Sequence, residues 1–296
     1  MTYTKSKILE SKHLPRFIYG TAWKEENTAE CTFQALKAGF RAIDTANQRK
    51  HYFEEGVGEG LSQFLNLNQS TTGVNSPITS KITRADLFLQ TKFTFANGQD
   101  HRKPYNESDP YSLQVEKSYA SSLKHLNTNY LDSYVLHGPS AHQNITEIDL
   151  EVWMAMENLY HDKKVRHLGI SNVTAQQLVQ LCEKVKIKPQ FVQNRCYARM
   201  GWDKEVRKIC NDLGVIYQGF SLLTANLREL SSSTISQLAT RYGKSIPQIV
   251  FRFSQQIGMI PLTGSTSADH LALDLDIEDF ELNEQELSQI ENIGIL

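Results

Sequence analysis

The sequence predicts an α/β protein with one domain over residues 1–296, a (β/α)8 TIM barrel. Short apolar runs alternate with amphipathic stretches along the whole chain, which is typical of strands and helices that follow one another in turn. Eight of these runs have the length of a strand, and the composition does not break between them. The 296 residues also fit such a barrel, which typically needs roughly 250.

The eight apolar runs are the predicted strands, and polar stretches separate each from the next. In chain order they are Phe17–Ala22, Ala42–Ala46, Leu87–Phe93, Leu131–His137, Val165–Ser171, Phe191–Cys196, Val215–Phe220 and Met259–Gly264.

The amphipathic stretches between the runs are the predicted helices. Gly39 follows the first and Gly214 the sixth, as expected for glycine just beyond a helix, while Pro247 occupies an early position that a helix tolerates. The long connection Asn66–Arg84 is rich in Asn, Ser and Thr and is expected to be solvated. The helices are Thr28–Ala38, Glu54–Leu65, Leu113–Leu126, Leu150–His161, Ala175–Lys184, Lys204–Leu213 and Pro247–Gln256.

Two elements are predicted outside this repeating pattern. At the start, Lys7–Leu9 and Leu14–Arg16 are expected to form a short N-terminal hairpin that closes the bottom of the barrel. At the end, an extra C-terminal helix is expected over Asn283–Asn292, with Asn283 as its cap and Glu286 as the partner in a capping box.

Composition and charge argue against several classes of protein. The net charge of −2 gives no field that would attract nucleic acid or an anionic membrane. The N-terminus lacks the apolar core of a signal peptide, and no run approaches the roughly 20 apolar residues of a membrane helix. The four cysteines have neither a CxxC pair nor the spacing of metal ligands. We therefore expect reduced thiols, no metal site and a cytoplasmic protein.

Polar side chains that can carry out proton chemistry lie where consecutive predicted strands end. These residues are Asp44 after the second strand, Tyr52 or His51 shortly beyond it, Lys92 in the third strand, and His137 at the end of the fourth. The carboxyl ends of the strands in a parallel barrel converge on one mouth, so these groups are expected to meet there. Each residue alone has an ordinary structural explanation, but their combination favours catalysis.

Such a set can protonate a carbonyl oxygen while another group delivers hydride. A phenol titrates near ~10, and a neighbouring ammonium favours the phenolate. We therefore predict that Lys92, kept charged and aimed by Asp44, lowers the pKa of Tyr52. An imidazole on the other side can orient the carbonyl oxygen or relay its proton.

The later strands end in neutral groups. Ser171–Asn172 and Gln193 offer hydroxyl and amide groups that suit a carboxamide, and Phe220 can stack on a flat ring. Gly264 and Ser265–Ser267 precede a helix and suit a phosphate at its N-terminus. Neither GxGxxG nor GxxxxGK[ST] occurs, so the sequence predicts neither a Rossmann site nor a P-loop.

Several motifs in order resemble the aldo-keto reductase family over nearly the whole chain. Gly20–Lys24 (GTAWK) is similar to the family's first-strand segment, and Gly39–Ala46 (GFRAIDTA) to its GxRxxDTA signature. Lys92 matches the family's strand-three lysine, and Leu136–Pro139 (LHGP) its LHxP segment. Lys164–Asn172 (KVRHLGISN) is similar to the specific KVRxxGxSN signature.

The resemblance implies a nicotinamide cofactor that lies extended across the barrel mouth. We expect NADPH, because members of this family commonly use it, with NADH possible. It implies a catalytic tetrad of Asp44, Tyr52, Lys92 and His137, with Tyr52 as the proton donor. The residues that would contact the cofactor are Gly20, Thr21, Ser171, Asn172, Gln193, Phe220, Ser221, Leu223, Thr263, Gly264, Ser265, Thr266 and His270. The residues that would line the substrate pocket are Trp23 and His51.

The segment that holds the tyrosine departs from the family's pattern. It is about three residues longer than usual. Counting back from Val57 places His51 at the position of the family's tyrosine, whereas the family's spacing between tyrosine and glutamate, applied to Glu55, selects Tyr52. We favour Tyr52, because a phenol beside Lys92 makes chemical sense, whereas a second imidazole there would tend to be neutral.

The adenosine end departs as well. Leu262 and His270 stand where family members that bind the 2′-phosphate commonly carry a cation. Without a fixed cation, the preference for NADPH over NADH should be weaker.

The sequence therefore predicts an NADPH-dependent oxidoreductase that reduces an aldehyde or ketone to an alcohol. Two alternatives stay open: a cofactor-binding regulatory or redox-sensing subunit, and a non-redox lyase or isomerase on the same barrel. The expected partner is a small-molecule carbonyl substrate, with no nucleic acid and no membrane, and the protein is expected to be a monomer.

Overall fold

Eight parallel strands close into a barrel in chain order in the computed structural model, which describes residues 14–70 and 81–295. Each strand lies within one of the predicted apolar runs, and the predicted (β/α)8 fold is confirmed. The strands are β1 (Ile18–Gly20), β2 (Ala42–Asp44), β3 (Phe88–Phe93), β4 (Leu131–Leu136), β5 (Val165–Ser171), β6 (Phe191–Arg195), β7 (Ile216–Phe220) and β8 (Met259–Thr263).

Helices follow the strands along the chain. Three have the predicted bounds, namely α1 (Thr28–Ala38), α5 (Ala175–Lys184) and α6 (Lys204–Leu213). The others are α2 (Glu54–Ser70), α3 (Tyr111–His125), α4 (Glu147–His161), α7 (Leu227–Leu230), α8 (Ser233–Tyr242), α9 (Ile246–Gln256), α10 (Ala268–Leu275) and α11 (Glu284–Glu291).

Some helices differ from the prediction. The helix α2 continues to Ser70 instead of ending at Leu65, so it includes the start of the connection that was expected to be solvated. The prediction gave no bounds for α7, α8 or α10. Serine side chains cap two of these helices. Ser232 accepts a hydrogen bond from the Ile235 N–H at the start of α8, and Ser267 accepts one from the His270 N–H at the start of α10. The predicted capping box of Asn283 with Glu286 is confirmed at the start of α11.

The predicted N-terminal hairpin is not seen as a hairpin. Its first arm, Lys7–Leu9, lies outside the described residues. Its second arm, Leu14–Arg16, consists of bends and coil before β1. None of the helices in residues 14–70 and 81–295 has the length and apolar character needed to span a bilayer. The same ranges hold no group of three or more His, Cys, Asp or Glu side chains that could bind a metal ion.

Layers of inward-facing side chains fill the barrel, because alternate residues of each strand point to its interior. On β3 the sequence of layers is Phe88, Gln90 and Lys92. The bottom layer is an apolar cluster of Ile18, Ala42, Phe88, Phe191, Ile216, Ile260 and Leu262. The polar layers therefore lie towards the carboxyl ends of the strands, where the mouth opens.

Glycines on α2 allow close packing against its two neighbouring helices. A Cβ at Gly60 would lie within 3.0 Å of atoms of Ala29 and Thr32 on α1. A Cβ at Gly58 would collide with the carbonyl oxygen of His125, the last residue of α3. These contacts hold α2 in place directly after the segment that carries Tyr52.

Candidate active site

A buried ion pair lies within the barrel near its mouth. Lys92 has 0% of its surface exposed, and its Nζ donates at 2.7 Å to both carboxylate oxygens of Asp44 and to the carbonyl oxygen of Thr45. These acceptors satisfy all the protons of the ammonium. Burial lowers the pKa of Lys92, and the charge of Asp44 counteracts that effect. The ion pair is thus electrically balanced and fixed to β2 and β3.

Glutamine side chains from three strands support the carboxylate. Nε2 of Gln90 and Nε2 of Gln193 donate to Asp44 Oδ1 at 2.7 and 3.0 Å. Both amides also donate to Gln218 Oε1, at 2.8 and 3.0 Å, and Gln218 Nε2 donates to Gln90 Oε1 at 3.1 Å. All three glutamines are buried, so this amide layer fixes the orientation of the carboxylate.

Tyr52 lies beside this pair. The Nζ atom of Lys92 is 5.2 Å from the centroid of the Tyr52 ring, and the His137 ring lies edge-on with its centroid 5.8 Å away. His51 instead stacks on Trp23, with the ring centroids 4.1 Å apart. Of the two residues that the spacing left open, Tyr52 is the one next to Lys92 and His137.

The pKa of Tyr52 is shifted in the direction opposite to the one predicted. Burial and the negative charge of Asp44 raise this pKa well above the usual range of a phenol, and Arg195 partly counteracts them. The prediction that Lys92 lowers the pKa was wrong, because Asp44 cancels the ammonium's charge and Nζ lies over the ring of Tyr52. The phenol therefore stays protonated, which is the form that can donate a proton.

His137 follows β4 as a neutral imidazole. Burial, with the positive charges of Lys92 and His51, lowers its pKa to about 3. Its Nδ1 atom is 2.7 Å from Thr94 Oγ1. This contact fixes the ring and leaves Nε2 as the nitrogen available to a ligand.

A cavity of about 650 Å³ extends from Tyr52 and His137 across the mouth to Asp274 on α10. Predicted residues that line it are Gly20, Trp23, Asp44, Tyr52, His137, Ser171, Asn172, Gln193, Phe220, Ser221, Leu223, Thr263, Gly264, Ser265 and His270. Predicted residues that do not line it are Thr21, His51, Lys92 and Thr266.

The loops after β5 and β7 carry backbone strain where they border the cavity. Asn172 and Ser221 have φ angles of 53° and 56°, a conformation that is costly for residues other than glycine and that clusters at functional sites. The Asn172 side chain donates to the His137 carbonyl oxygen at 2.8 Å, and Ser171 Oγ donates to the Gln193 carbonyl oxygen at 2.6 Å. The first bond holds the β5 loop against His137, and the second joins the end of β5 to β6.

The walls of the cavity fit a nicotinamide dinucleotide. Phe220 is half-buried and offers a flat ring, and Asn172 is an exposed amide nearby. A Cβ at Gly264 would lie 3.3 Å from the Gly20 carbonyl oxygen and 3.4 Å from Lys24 Nζ, so the missing side chain keeps the cavity open between β1 and β8.

The far end of the cavity contains charged groups. Lys24 Nζ donates to the carbonyl oxygen of Gly264, and burial lowers the pKa of Lys24. Thr263 Oγ1 donates to Asp274 Oδ2 at 2.7 Å, and burial raises the pKa of Asp274 to about 6. His270 is exposed at the same end. The cation Lys24 and the buried carboxyl group of Asp274 therefore stand at this end of the cavity.

A match to a known protein family accompanies this geometry. The sequence profile of the aldo/keto reductase family matches residues 17–295. The chain belongs to the aldo/keto reductase family. Membership supports an oxidoreductase that acts on carbonyl compounds, in a family that uses NAD(P)H.

Relatives of this aldo-keto reductase cover almost all of it. Glyoxal reductase of Bacillus subtilis is 29% identical over 291 residues, which are 97% of this chain and 92% of the relative. The NAD(P)H-dependent D-xylose reductase of Pachysolen tannophilus is 25% identical, with 98% and 93% covered.

Solved structures show the same fold. An aldo/keto reductase from Brucella melitensis is similar with a TM-score of 0.77 and 26% identity, covering 95% of each chain. A Bombyx mori aldo-keto reductase in complex with NADP has a TM-score of 0.77 and 25% identity, covering 95% of this chain and 89% of that one.

Sequence reasoning missed three charged residues of this aldo-keto reductase. Lys24 and Asp274 border the cavity, and Arg195 lies beside Phe220. Lys24 was noted only as part of a motif. A signal was available for Arg195, because it follows Gln193 by two positions on an apolar strand and therefore shares its inward face.

Proposed function

We propose that this aldo-keto reductase converts an aldehyde or ketone to an alcohol with NADPH. The observation that carries the proposal is Tyr52, a protonated phenol on the cavity wall between His137 and the pair of Lys92 with Asp44. We further propose a small-molecule carbonyl substrate and a monomeric protein. The four cysteines are free and buried, and the cytoplasmic location stays a prediction.

Proton transfer is the part of the reaction that this chain's own residues would perform. The hydroxyl of Tyr52 would donate its proton to the carbonyl oxygen. The pair of Lys92 with Asp44 would hold the Tyr52 ring in position for this transfer, since Lys92 Nζ lies over that ring. Neutral His137 would orient the carbonyl oxygen through Nε2, since Nδ1 faces Thr94. A bound nicotinamide would supply the hydride.

The cofactor would lie along the cavity. Ser171, Asn172 and Gln193 would hold the carboxamide, and Phe220 would stack on the nicotinamide ring, all close to Tyr52. Residues proposed for the pyrophosphate and the adenosine end are Ser221, Leu223, Thr263, Gly264, Ser265, Thr266 and His270. Lys24 adds a positive charge next to Gly264, which supports NADPH, while NADH stays possible.

The test is reduction of 4-nitrobenzaldehyde with NADPH by wild type, Tyr52→Phe and the control His51→Gln. Tyr52→Phe should lower kcat/KM by about 100- to 10,000-fold, the usual contribution of a general acid, and should leave the Kd for NADPH unchanged. His51→Gln should stay close to wild type, because His51 stacks on Trp23 and does not itself line the cavity.

Other outcomes would contradict the proposal. Full activity of Tyr52→Phe with loss in His51→Gln would move the role to His51. NADPH binding without turnover of any aldehyde would favour a cofactor-binding regulatory subunit. No NADPH binding at all would favour a non-redox lyase or isomerase.

A further inference from the structure

A positively charged side chain stands at the mouth without a partner for its charge. Arg195 ends β6 and belongs to the same inward-facing series as Phe191 and Gln193. It pairs in register with Phe220 of β7, and its guanidinium carbon is 5.5 Å from the centroid of the Phe220 ring. The residue is exposed. Arg195 is thus one layer above the amide layer and opens to solvent at the mouth.

Three other cations near the mouth have partners. Lys92 pairs with Asp44, Lys24 donates to Gly264, and Arg102 pairs with Asp100. Arg195 differs, since within residues 14–70 and 81–295 its guanidinium makes no hydrogen bond and has no carboxylate within 4.0 Å.

Arg195 supplies a positive charge near Tyr52 that neither the ion pair nor His137 provides. The ion pair is neutral as a whole, and His137 has a pKa of about 3 and carries no charge. Arg195 is close enough to Tyr52 for its charge to lower the pKa of the phenol. One positive charge, on a planar fork of donors, matches a monoanion with two oxygens better than a phosphate dianion.

We propose that Arg195 is a specificity-determining residue that binds a carboxylate on the substrate, so that the preferred substrates are aldehydes or ketones that carry a carboxylate. This inference rests on the proposed function of the same cavity. The competing role for Arg195 is to bind the cofactor's phosphates, because Ser221, which we propose for the pyrophosphate, directly follows its register partner Phe220. The Kd for NADPH in Arg195→Gln decides between the two roles.

The test compares two aldehydes of similar shape, 4-carboxybenzaldehyde and its neutral amide, 4-formylbenzamide. Each is reduced by wild type, Arg195→Gln, Arg195→Lys and Arg199→Gln, and the Kd for NADPH is measured by fluorescence. Arg199 is the matched control, since it is an exposed arginine of the next segment that packs on Tyr197 and lies beyond the inward-facing series of β6.

Arg195→Gln should lower the ratio of kcat/KM for the acid to that for the amide by about 10- to 100-fold, the range of a hydrogen bond to a charged group. Arg195→Lys should keep part of the preference because it keeps the charge. Arg199→Gln should keep the whole ratio, and the Kd for NADPH should stay the same in all variants.

Two results would overturn the inference while leaving the reductase intact. The first is reduction of both aldehydes with an unchanged ratio in Arg195→Gln. The second is weaker NADPH binding in Arg195→Gln with the ratio unchanged, which would assign Arg195 to the cofactor.

Failure of the proposed function is distinguishable, because then wild type reduces neither aldehyde. In that case calorimetric titration with 4-(hydroxymethyl)benzoate and 4-(hydroxymethyl)benzamide decides the inference. Tighter binding of the acid by wild type, lost in Arg195→Gln, would support it. Equal binding of the two compounds would refute it.

Discussion

Removing the charge of Lys92 should destabilise the protein severely. Lys92→Met keeps the length of the side chain but takes away the donor of three bonds at 2.7 Å, to Asp44 and Thr45. Asp44 is buried and would keep only the amides of Gln90 and Gln193 as partners. Leaving one charge of a buried pair unpaired costs about 3–5 kcal/mol. At roughly 2–4 °C per kcal/mol, Tm should fall by about 6–20 °C, as measured by circular dichroism at neutral pH.

A double-mutant cycle separates the lost ion pair from simple loss of packing. Asp44→Asn leaves Lys92 without its counter-ion, whereas the combination of Asp44→Asn with Lys92→Met removes both charges. The double variant should therefore be more stable than the sum of the single effects predicts, by about 0.5–3 kcal/mol. The reasoning is refuted if Lys92→Met unfolds at the wild-type temperature, or if the two effects simply add.

Three further outcomes concern packing, protonation and the cofactor. Gly58→Ala should lower Tm, because its Cβ would collide with the His125 carbonyl oxygen. The control Gly138→Ala should not, since its Cβ would lie 3.6 Å from the nearest atom, Asn172 Cβ. Equal Tm values for the two variants would contradict the helix contact. His137 should stay neutral in NMR titrations between about pH 5 and 8, since its pKa is about 3. Its contribution to the free energy of unfolding should fall as pH drops from about 6.5 towards 3. A ring that titrates near the usual pKa of histidine would rule this out. His270→Arg should tighten NADPH relative to NADH in binding assays, and an unchanged ratio would mean that the 2′-phosphate binds elsewhere.

The barrel and its ion pair could be predicted because their signals are local. Each strand is a short apolar run, and Asp44, Lys92 and His137 stand at or just beyond the ends of such runs. Spacing alone could not decide between Tyr52 and His51, because adjacent residues satisfy it almost equally well. Tertiary contacts decide the placement, since the Trp23 backbone N–H donates to the His51 carbonyl oxygen at 2.8 Å and the two rings stack.

Other parts of the molecule had no local signal. The helix α8 begins in a serine-rich stretch that reads as a loop, and only the bond from the Ile235 N–H to Ser232 reveals its start. The direction of the pKa shift of Tyr52 depends on burial and on the cancellation of one charge by another. The hydrogen bond from Lys24 Nζ to the Gly264 carbonyl oxygen joins residues 240 positions apart. Such effects exist only once the chain is folded.

The amide layer beneath Asp44 has a consequence for how this protein can change over time. The ion pair and its three glutamines belong to β2, β3, β6 and β7, whereas Trp23, Asn172 and Ser221 belong to loops. Insertions or substitutions in those loops can reshape what the cavity admits without disturbing the strands that fix the carboxylate. Selection for a new carbonyl compound is therefore free to act on the loops while the same proton donor is inherited unchanged.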